Sequence, residues 1–449
     1  MLYLELFIPA QILDLMERLE SRGFEAWTVG GCVRDQLLGL PPHDWDLCTS
    51  ATPEEIAQVF EGFPLIRAGE QHGTIAVITH KQPVEITTFR TEGGYGDHRR
   101  PDWVHFETNL QEDLARRDFT INAMAYSPRR GLADPFGGQA DLADRILRAV
   151  GQPEKRFRED GLRILRGVRF AARFQLTPEA ETCAAMSTLA PTLAALARER
   201  VYAELCGFLP AARVEDFGTF APVILAAIPA LTPTLGFQQH NPHHIFDVYT
   251  HTAHVVAAVP PTLSLRWAAL LHDVAKPTCF TQDDDGVGHF RGHAHLGAKM
   301  AREILQQLRA PRALEDRVAT LIAYHGVTRD LGRLPGDKPL RRLLRRLGEE
   351  VLWELLALDR ADDSGKGTPS DPAAFDRFEA SLRQLLAEQP CLTTRDLAIS
   401  GRDLLQMGLP QGPILGRILQ TLLEEVGDGL LPNTPEALLH RAEGFLDLL

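Results

Sequence analysis

Two aspartates separated by a single residue, Asp44-Trp45-Asp46, follow shortly after a glycine pair, Gly30-Gly31. On a strand, the period of two puts both carboxylates on one face, about 6.5 Å apart along the chain, with Trp45 on the other. Paired carboxylates of this kind suit a hard divalent cation such as magnesium, which takes oxygen ligands and accepts further oxygens from the phosphates of a nucleoside triphosphate. The glycine pair ends an apolar run, Ala26-Trp27-Thr28-Val29, and such a turn brings backbone N–H groups against phosphate. Taken alone, the same residues also fit an ordinary turn and a solvated acidic loop. A second chemistry lies further on, where ten of the sixteen histidines fall between His240 and His325, and clustered histidine points to metal.

The elements that must position these groups change character along the chain. Up to about residue 148, helix-like and strand-like segments alternate. Pro9 to Arg22 has helical amphipathicity, Ala26 to Val29 and Trp45 to Cys48 have strand character, and Pro53 to Phe60 forms a helix opened by Thr52 as N-cap. Thr74 to Thr79 and Val84 to Phe89 follow as strands. After Gly151 the pattern is almost wholly helical, with helices expected over Phe157 to Phe174, Pro178 to Ala190 and Ala197 to Leu209. Ser364 to Pro369 marks a loop before a helical tail.

The stretch Gly30 to Pro53, GGCVRDQLLGLPPHDWDLCTSATP, resembles the nucleotidyltransferase head of class II tRNA nucleotidyltransferases and bacterial poly(A) polymerases, in the polymerase-beta superfamily. That resemblance implies an α/β nucleotidyltransferase head (1–148), an all-α neck (149–238), an HD metal-phosphohydrolase-like domain (239–365) and a helical tRNA-binding tail (366–449). It implies catalytic magnesium held by Asp44 and Asp46 with a third acid, for which Glu85, opposite Val84 and Ile86 on its strand, is the candidate; an edge-exposed glutamate is the alternative. Leu114 to Ala123 is similar to the family's second motif, where Arg117 meets the triphosphate and Asp118 the ribose; Gly30, Gly31 and Arg34 belong to the nucleotide site through the first motif. Asp134-Pro135-Phe136-Gly137-Gly138 resembles the connector from head to neck. Arg158 to Phe170 resembles the protein template that selects CTP and ATP, with Asp160 and Arg163 facing the base and Arg166 and Arg169 beside them. On one helix the pair shares a face and offers acceptors and donors, although a weak ion pair has the same spacing. Thr91 to Asp102 occupies the place of the loop that helps this family switch from CTP to ATP.

The pattern His251, His272-Asp273, His293, His325 resembles an HD-type site for a divalent transition metal or magnesium. Asp362 is the best match for its distal aspartate, with Asp359 close by. The activity implied is template-independent addition of the 3′-terminal CCA to tRNA, accompanied by an HD phosphohydrolase activity. The alternatives are a partial A-adding enzyme, a poly(A) polymerase, or a phosphohydrolase with a nucleotide-sensing head.

Composition bounds these readings. With 44% hydrophobic and 24% charged residues in 449, the chain has the make-up of a globular protein of several domains. No apolar run reaches transmembrane length, and the acidic N-terminus lacks the basic start of a signal peptide. Six scattered cysteines without a C-x-x-C pair argue against zinc knuckles or a disulfide framework and fit a cytoplasmic location. A net charge of −13 counts against a general nucleic-acid binder, so a tRNA footprint must be local. Glu154 to Arg173 holds seven basic residues against three acids, and Arg329 to Arg346 seven against two.

Overall fold

The computed structural model describes residues 5–93, 103–241, 244–334, 336–367, 371–388 and 391–446. Residues 94–102, most of the expected switching loop, lie outside them, as do Thr368 and Pro369 of the expected loop before the tail. The chain divides into two compact units, Met1–Ala230 with Gln307–Arg309, and Leu231–Gln306 with Ala310–Leu449. The first is an α/β head running into helices, and the second is mostly helical.

Among the described residues the head's two sheets are built on the strands β1 (Ala26–Val29), β2 (Asp46–Thr49), β3 (Leu65–Ile66), β4 (Thr74–Thr79), β5 (Gln82–Thr88), β6 (Arg90–Gly93), β7 (Trp103–Phe106), β8 (Ala125–Ser127) and β9 (Gly131–Ala133). Seven of them form one sheet in the order β3-β4-β5-β2-β1-β8-β9, while β6 and β7 pair separately. Only β2 and β5 are parallel neighbours in that sheet; the connection from β2 to β5 carries the helix Pro53–Val59. That helix starts where expected, because Thr52 and Glu55 form a capping box that satisfies two backbone donors of its first turn. Trp27, Val29, Cys48, Phe89 and Leu114 make one buried cluster of the head.

Two expectations about local structure need correction. Strand β2 begins at Asp46, so Asp44 and Trp45 precede the sheet. The reason lies in the partners: β1 pairs Thr28 with Leu47, then leaves the sheet at Gly30, and the ladder to β5 starts only at the pair Asp46 and Glu85. The expected helix Phe157–Phe174 is also two helices, Pro153–Glu159 and Leu162–Phe174. Asp160, at φ −140° and ψ 105°, is extended, and its Oδ1 accepts from Leu162 N at 3.0 Å. A short acid bonded to the backbone two residues on, followed by glycine, competes with helix continuation. The second helix is seated by Phe119, whose ring centroid lies 6.3 Å from Phe157 and 6.0 Å from Phe170. Burying a phenylalanine fully contributes up to about 3 kcal/mol.

In the second unit, helices Val248–Ala258, Leu263–Leu271, Arg312–Tyr324 and Glu349–Ser364 pack on one another. The basic stretch Arg329 to Arg346 is largely engaged within the protein: Arg341 pairs with Asp337 and Glu388, and Arg342, Arg345 and Lys338 with Asp428. These contacts account for much of its charge without a nucleic acid. Among the described residues no helix is long and apolar enough to cross a membrane.

Candidate active site and histidine cluster

Asp46 and Glu85 are register partners on parallel β2 and β5, so their carboxylates leave the sheet on the same side, opposite buried Leu47, Val84 and Ile86. Strand β5 lies inside the sheet, between β4 and β2; Glu85 is therefore not an edge residue. Enclosure by protein and then the Glu85 charge push the Asp46 pKa up to about 6, with Arg117 opposing the rise. Asp44 is 82% exposed, with Oδ2 3.0 Å from His43 Nδ1. All three acids border one cavity of about 380 Å³, yet their oxygens do not converge. Among the described residues, the sets of three or more metal-capable side chains with ligand atoms within 4.8 Å of one another both lie in the second unit. Two acids that repel each other on an accessible face fit a hard cation, with Asp44 standing beside them.

A second cavity, of about 460 Å³, is bordered by Asp46 and by every expected nucleotide-contacting residue: Gly30, Gly31, Arg34, Arg117, Asp118, Asp160, Arg163, Arg166 and Arg169. Gly30, at φ 76°, turns β1 into the helix Gly31–Leu37, a backbone that only glycine adopts without strain. A Cβ there would also lie 3.1 Å from Arg117 Nη1. Arg117 Nη2 donates to Asp113 at 3.3 Å, while its buried Nε has no hydrogen-bond partner among the described residues.

Arg34 is committed inward. It donates to Asp35 at 2.6 and 2.8 Å and to Asn122 Oδ1 at 2.6 Å, and its guanidinium lies over Phe174 and Phe170. It stands in the cavity wall. Asn122 in turn donates to Asp118 at 3.0 Å, and Arg166 Nε donates to the other Asp118 oxygen at 2.8 Å. Burial raises the Asp118 pKa, but Arg166 and Asn122 outweigh it and bring it to about 2. A carboxyl depressed from 3.8 contributes stability above its unfolded pKa, and loses it as the pH falls toward 2. Asp118→Asn is expected to cost ~2 kcal/mol at neutral pH, and urea melts should show its gap from wild type closing below about pH 4.

Asp160 and Arg163 both reach this cavity but do not pair with each other. Asp160 Oδ2 accepts from Arg200 at 3.3 Å. Arg163 donates to Glu159 at 2.7 Å and to the carbonyls of Arg156 and Arg116 at 3.1 and 3.0 Å. Arg169 is held by Glu204 at 2.6 Å and lies over the Phe170 ring. Asn122 and Arg200 were not foreseen; Asn122 stands four residues from Asp118 in a recognised motif, whereas nothing local marks Arg200.

In the second unit His251, His272, Asp273 and Asp362 form one set of ligand atoms, and Asp273, His293 and His325 form another. His251 Nε2 lies 3.0 Å from Asp362 and 3.5 Å from Asp273; His272 Nε2 lies 3.1 and 3.7 Å from Asp273 and Asp362. Asp359 faces elsewhere: it accepts from Gly326 N, Thr328 N and Thr328 Oγ1 at 2.6 to 3.0 Å. Burial disfavours a charged imidazole at His272, but Asp273 and Asp362 override it and raise the pKa to about 10. At His325 burial and the neighbouring His272 and His293 lower it to about 4. Lys276, which closes the segment Leu270 to Lys276 at the centre of the HD-type resemblance, sits 2.7 Å from Asp273, and Lys366, which was not foreseen, sits 3.3 Å from Asp362; a lysine four residues after Asp362 was the available signal.

Residues 26–148 match the poly A polymerase head domain family, and residues 292–442 match the tRNA nucleotidyltransferase domain 2 family. The CCA-adding enzyme of Latilactobacillus sakei is 34% identical over 434 residues, covering 97% of this chain and 98% of that one. The CCA-adding enzyme of Geobacillus stearothermophilus is 32% identical over 432 residues, covering 95% and 94%. The crystal structure of the Bacillus stearothermophilus CCA-adding enzyme in complex with CTP aligns with a TM-score of 0.69 at 27% identity, over 98% of each chain. With the head motifs gathered at one cavity and the likeness running nearly end to end, the chain belongs to the family of CCA-adding enzymes.

Proposed function

We propose that this protein adds the 3′-terminal CCA to tRNA from CTP and ATP without a nucleic-acid template. The observation that carries the reading is the single cavity where Asp46, Arg117, Asp160 and Arg163 meet. Arg117, pressed against the Gly30 turn, meets the triphosphate, since a guanidinium fork donates in pairs to phosphate oxygens. Asp118 fixes Arg166 at the cavity wall and accepts from the ribose. Each Asp160 oxygen has spent one lone pair on Leu162 or Arg200 and keeps another, and Arg163 Nη2 keeps one N–H. Those remaining groups read the base edge. Asp46 and Glu85, with Asp44 beside them, would hold a divalent cation, which would supply charge neutralisation at the triphosphate while the tRNA 3′-hydroxyl displaces pyrophosphate from the α-phosphate. The rest of the work is positioning.

The test is incubation with tRNA ending before CCA, after C or after CC, with each nucleotide supplied separately. The expected products are C added to the first two and A to the third. Arrest at CC, or extension of CC ends alone, overturns the reading in favour of a partial enzyme. Asp160→Ala is expected to reduce discrimination of CTP against UTP by ~10-fold or more, because the unpaired acceptor that rejects a mismatched edge is gone. Competition kinetics with mixed nucleotides measure it; a slower rate with unchanged selectivity assigns Asp160 to structure.

A second reading covers the histidine cluster, as an HD-type metal phosphohydrolase site. It is favoured by Asp362, rather than Asp359, standing with His251, His272 and Asp273. A tRNA substrate implies a cytoplasmic location.

A further inference from the structure

Among the described residues the Arg117 guanidinium makes a single hydrogen bond, from Nη2 to Asp113 Oδ2 at 3.3 Å. The acceptor is a carboxylate with no exposed surface, near the end of the helix Leu110–Ala115. Arg116 and Arg117 stand three and four positions after Asp113, a spacing that brings their side chains to its face of the helix. Arg116 holds the other oxygen, its Nε and Nη2 donating to Oδ1 at 3.0 and 2.7 Å. An exposed pair of this spacing is weak. A carboxylate closed off from water between two guanidiniums is fixed by them and fixes them in turn. Burial raises the Asp113 pKa, but Arg116 and then Arg117 outweigh it and hold the carboxyl below its ordinary value.

The division of the two oxygens decides what Arg117 has left to offer. A carboxylate alone with an arginine takes two of its N–H groups in a fork. Here Arg116 occupies Oδ1, so Arg117 gives Asp113 one N–H and keeps Nη1 and the second N–H of Nη2 for the cavity. Nη1 is packed against the Gly30 turn, where a Cβ would lie 3.1 Å from it. A long side chain with one anchor and one stop is in place before a ligand arrives. The other groups of the cavity have mounts of their own: Asp118 on Asn122 and Arg166, Asp160 on Leu162 N and Arg200, Arg163 on Glu159 and two backbone carbonyls. The Asp113 side chain is part of none of them.

We propose that Asp113 is a positioning residue for the triphosphate: it touches no substrate, and it presets the Arg117 fork that grips the outer phosphates. The inference rests on the reading of Arg117 as the triphosphate ligand. Holding an arginine ready takes the ordering of its rotamers out of the binding step, which is worth up to about 10-fold in affinity. The field of Asp113 acts the other way. A buried negative charge repels a triphosphate, so deleting it would tighten binding if electrostatics alone were at work. The sign of the effect therefore separates positioning from charge.

Isothermal titration of the full chain with CTP, ATP and CMP, in magnesium and without tRNA, tests it. Asp113→Asn is expected to weaken CTP and ATP by ~10-fold and CMP by less than about 2-fold, since base and ribose keep their own mounts. Arg117→Ala should weaken the triphosphates by at least as much, and adding Asp113→Asn to it should bring no further loss. Tighter or unchanged CTP binding in Asp113→Asn overturns the inference, and so does a full further loss in the Arg117→Ala background, which marks a packing defect; both leave the triphosphate reading of Arg117 standing. Should Asp113→Asn not fold, Asp113→Glu keeps the charge, moves the acceptor by one methylene and carries the same expectation. Normal CTP binding by Arg117→Ala overturns the inference together with its premise. A wild type that binds CTP and closes this cycle but adds nothing to tRNA keeps the Asp113 inference and loses CCA addition.

Discussion

Asp46→Asn should lower nucleotide addition by about 10³-fold or more, equivalent to ~4 kcal/mol of transition-state stabilisation, while tRNA binding stays near wild type. Asparagine preserves the size of the side chain and one acceptor oxygen but removes the charge that a magnesium ion requires. Asp46 is also the residue common to the two head cavities, so the acid face and the nucleotide cavity both lose their shared wall charge. Folding should not suffer, since enclosure by protein and then the Glu85 charge disfavour the wild-type carboxylate and raise its pKa; the urea midpoint of the variant is expected to be no lower. Asp44→Asn should act in the same direction. Single-turnover addition of C to tRNA lacking CCA, with a filter-binding measurement alongside, separates the effects. Normal incorporation by Asp46→Asn with a folded protein would remove the proposed active site.

The second large effect concerns the histidine cluster. His272→Ala combined with Asp273→Ala should abolish metal-dependent hydrolysis of phosphomonoesters and 2′,3′-cyclic nucleotides and leave CCA addition unchanged. Both side chains are almost fully buried, so truncation carries a packing cost as well. His272→Gln, which fills more of the space and lacks the imidazole, guards against misreading an unfolded variant. Nucleotide addition by the same preparations provides the folding control. If the wild type hydrolyses none of these esters with magnesium, manganese or nickel, the phosphohydrolase reading fails.

Legibility in the sequence followed the range of the interactions. The capping box at Thr52 and Glu55, and the alternation that buries Val84 and Ile86 around Glu85, rest on residues a few positions apart, and both lie where local rules put them. The start of β2 did not, because it depends on where β1 leaves the sheet, and a strand ends where its partner does. The break at Asp160 was hidden in an otherwise helical pattern: Gly161 alone is tolerated in helices, and only the bond from Asp160 to Leu162 N decides against continuation. Arg34 illustrates a different limit. An arginine beside a glycine turn has the chemistry of a phosphate ligand, but its sequence carries no sign that Asn122 and two phenylalanine rings will claim it. Arg200, forty residues from Asp160, belongs to the same class of long-range partner.

The break between the two neck helices also bears on how nucleotide choice can be altered. Asp160 is anchored by Leu162 N and Arg200, and Arg163 by Glu159 and two backbone carbonyls. Their side chains share no anchoring partner. An engineer wishing to give this protein a different alphabet is therefore working with two separate fittings: one acceptor and one donor, each replaceable while the mount of the other stays in place.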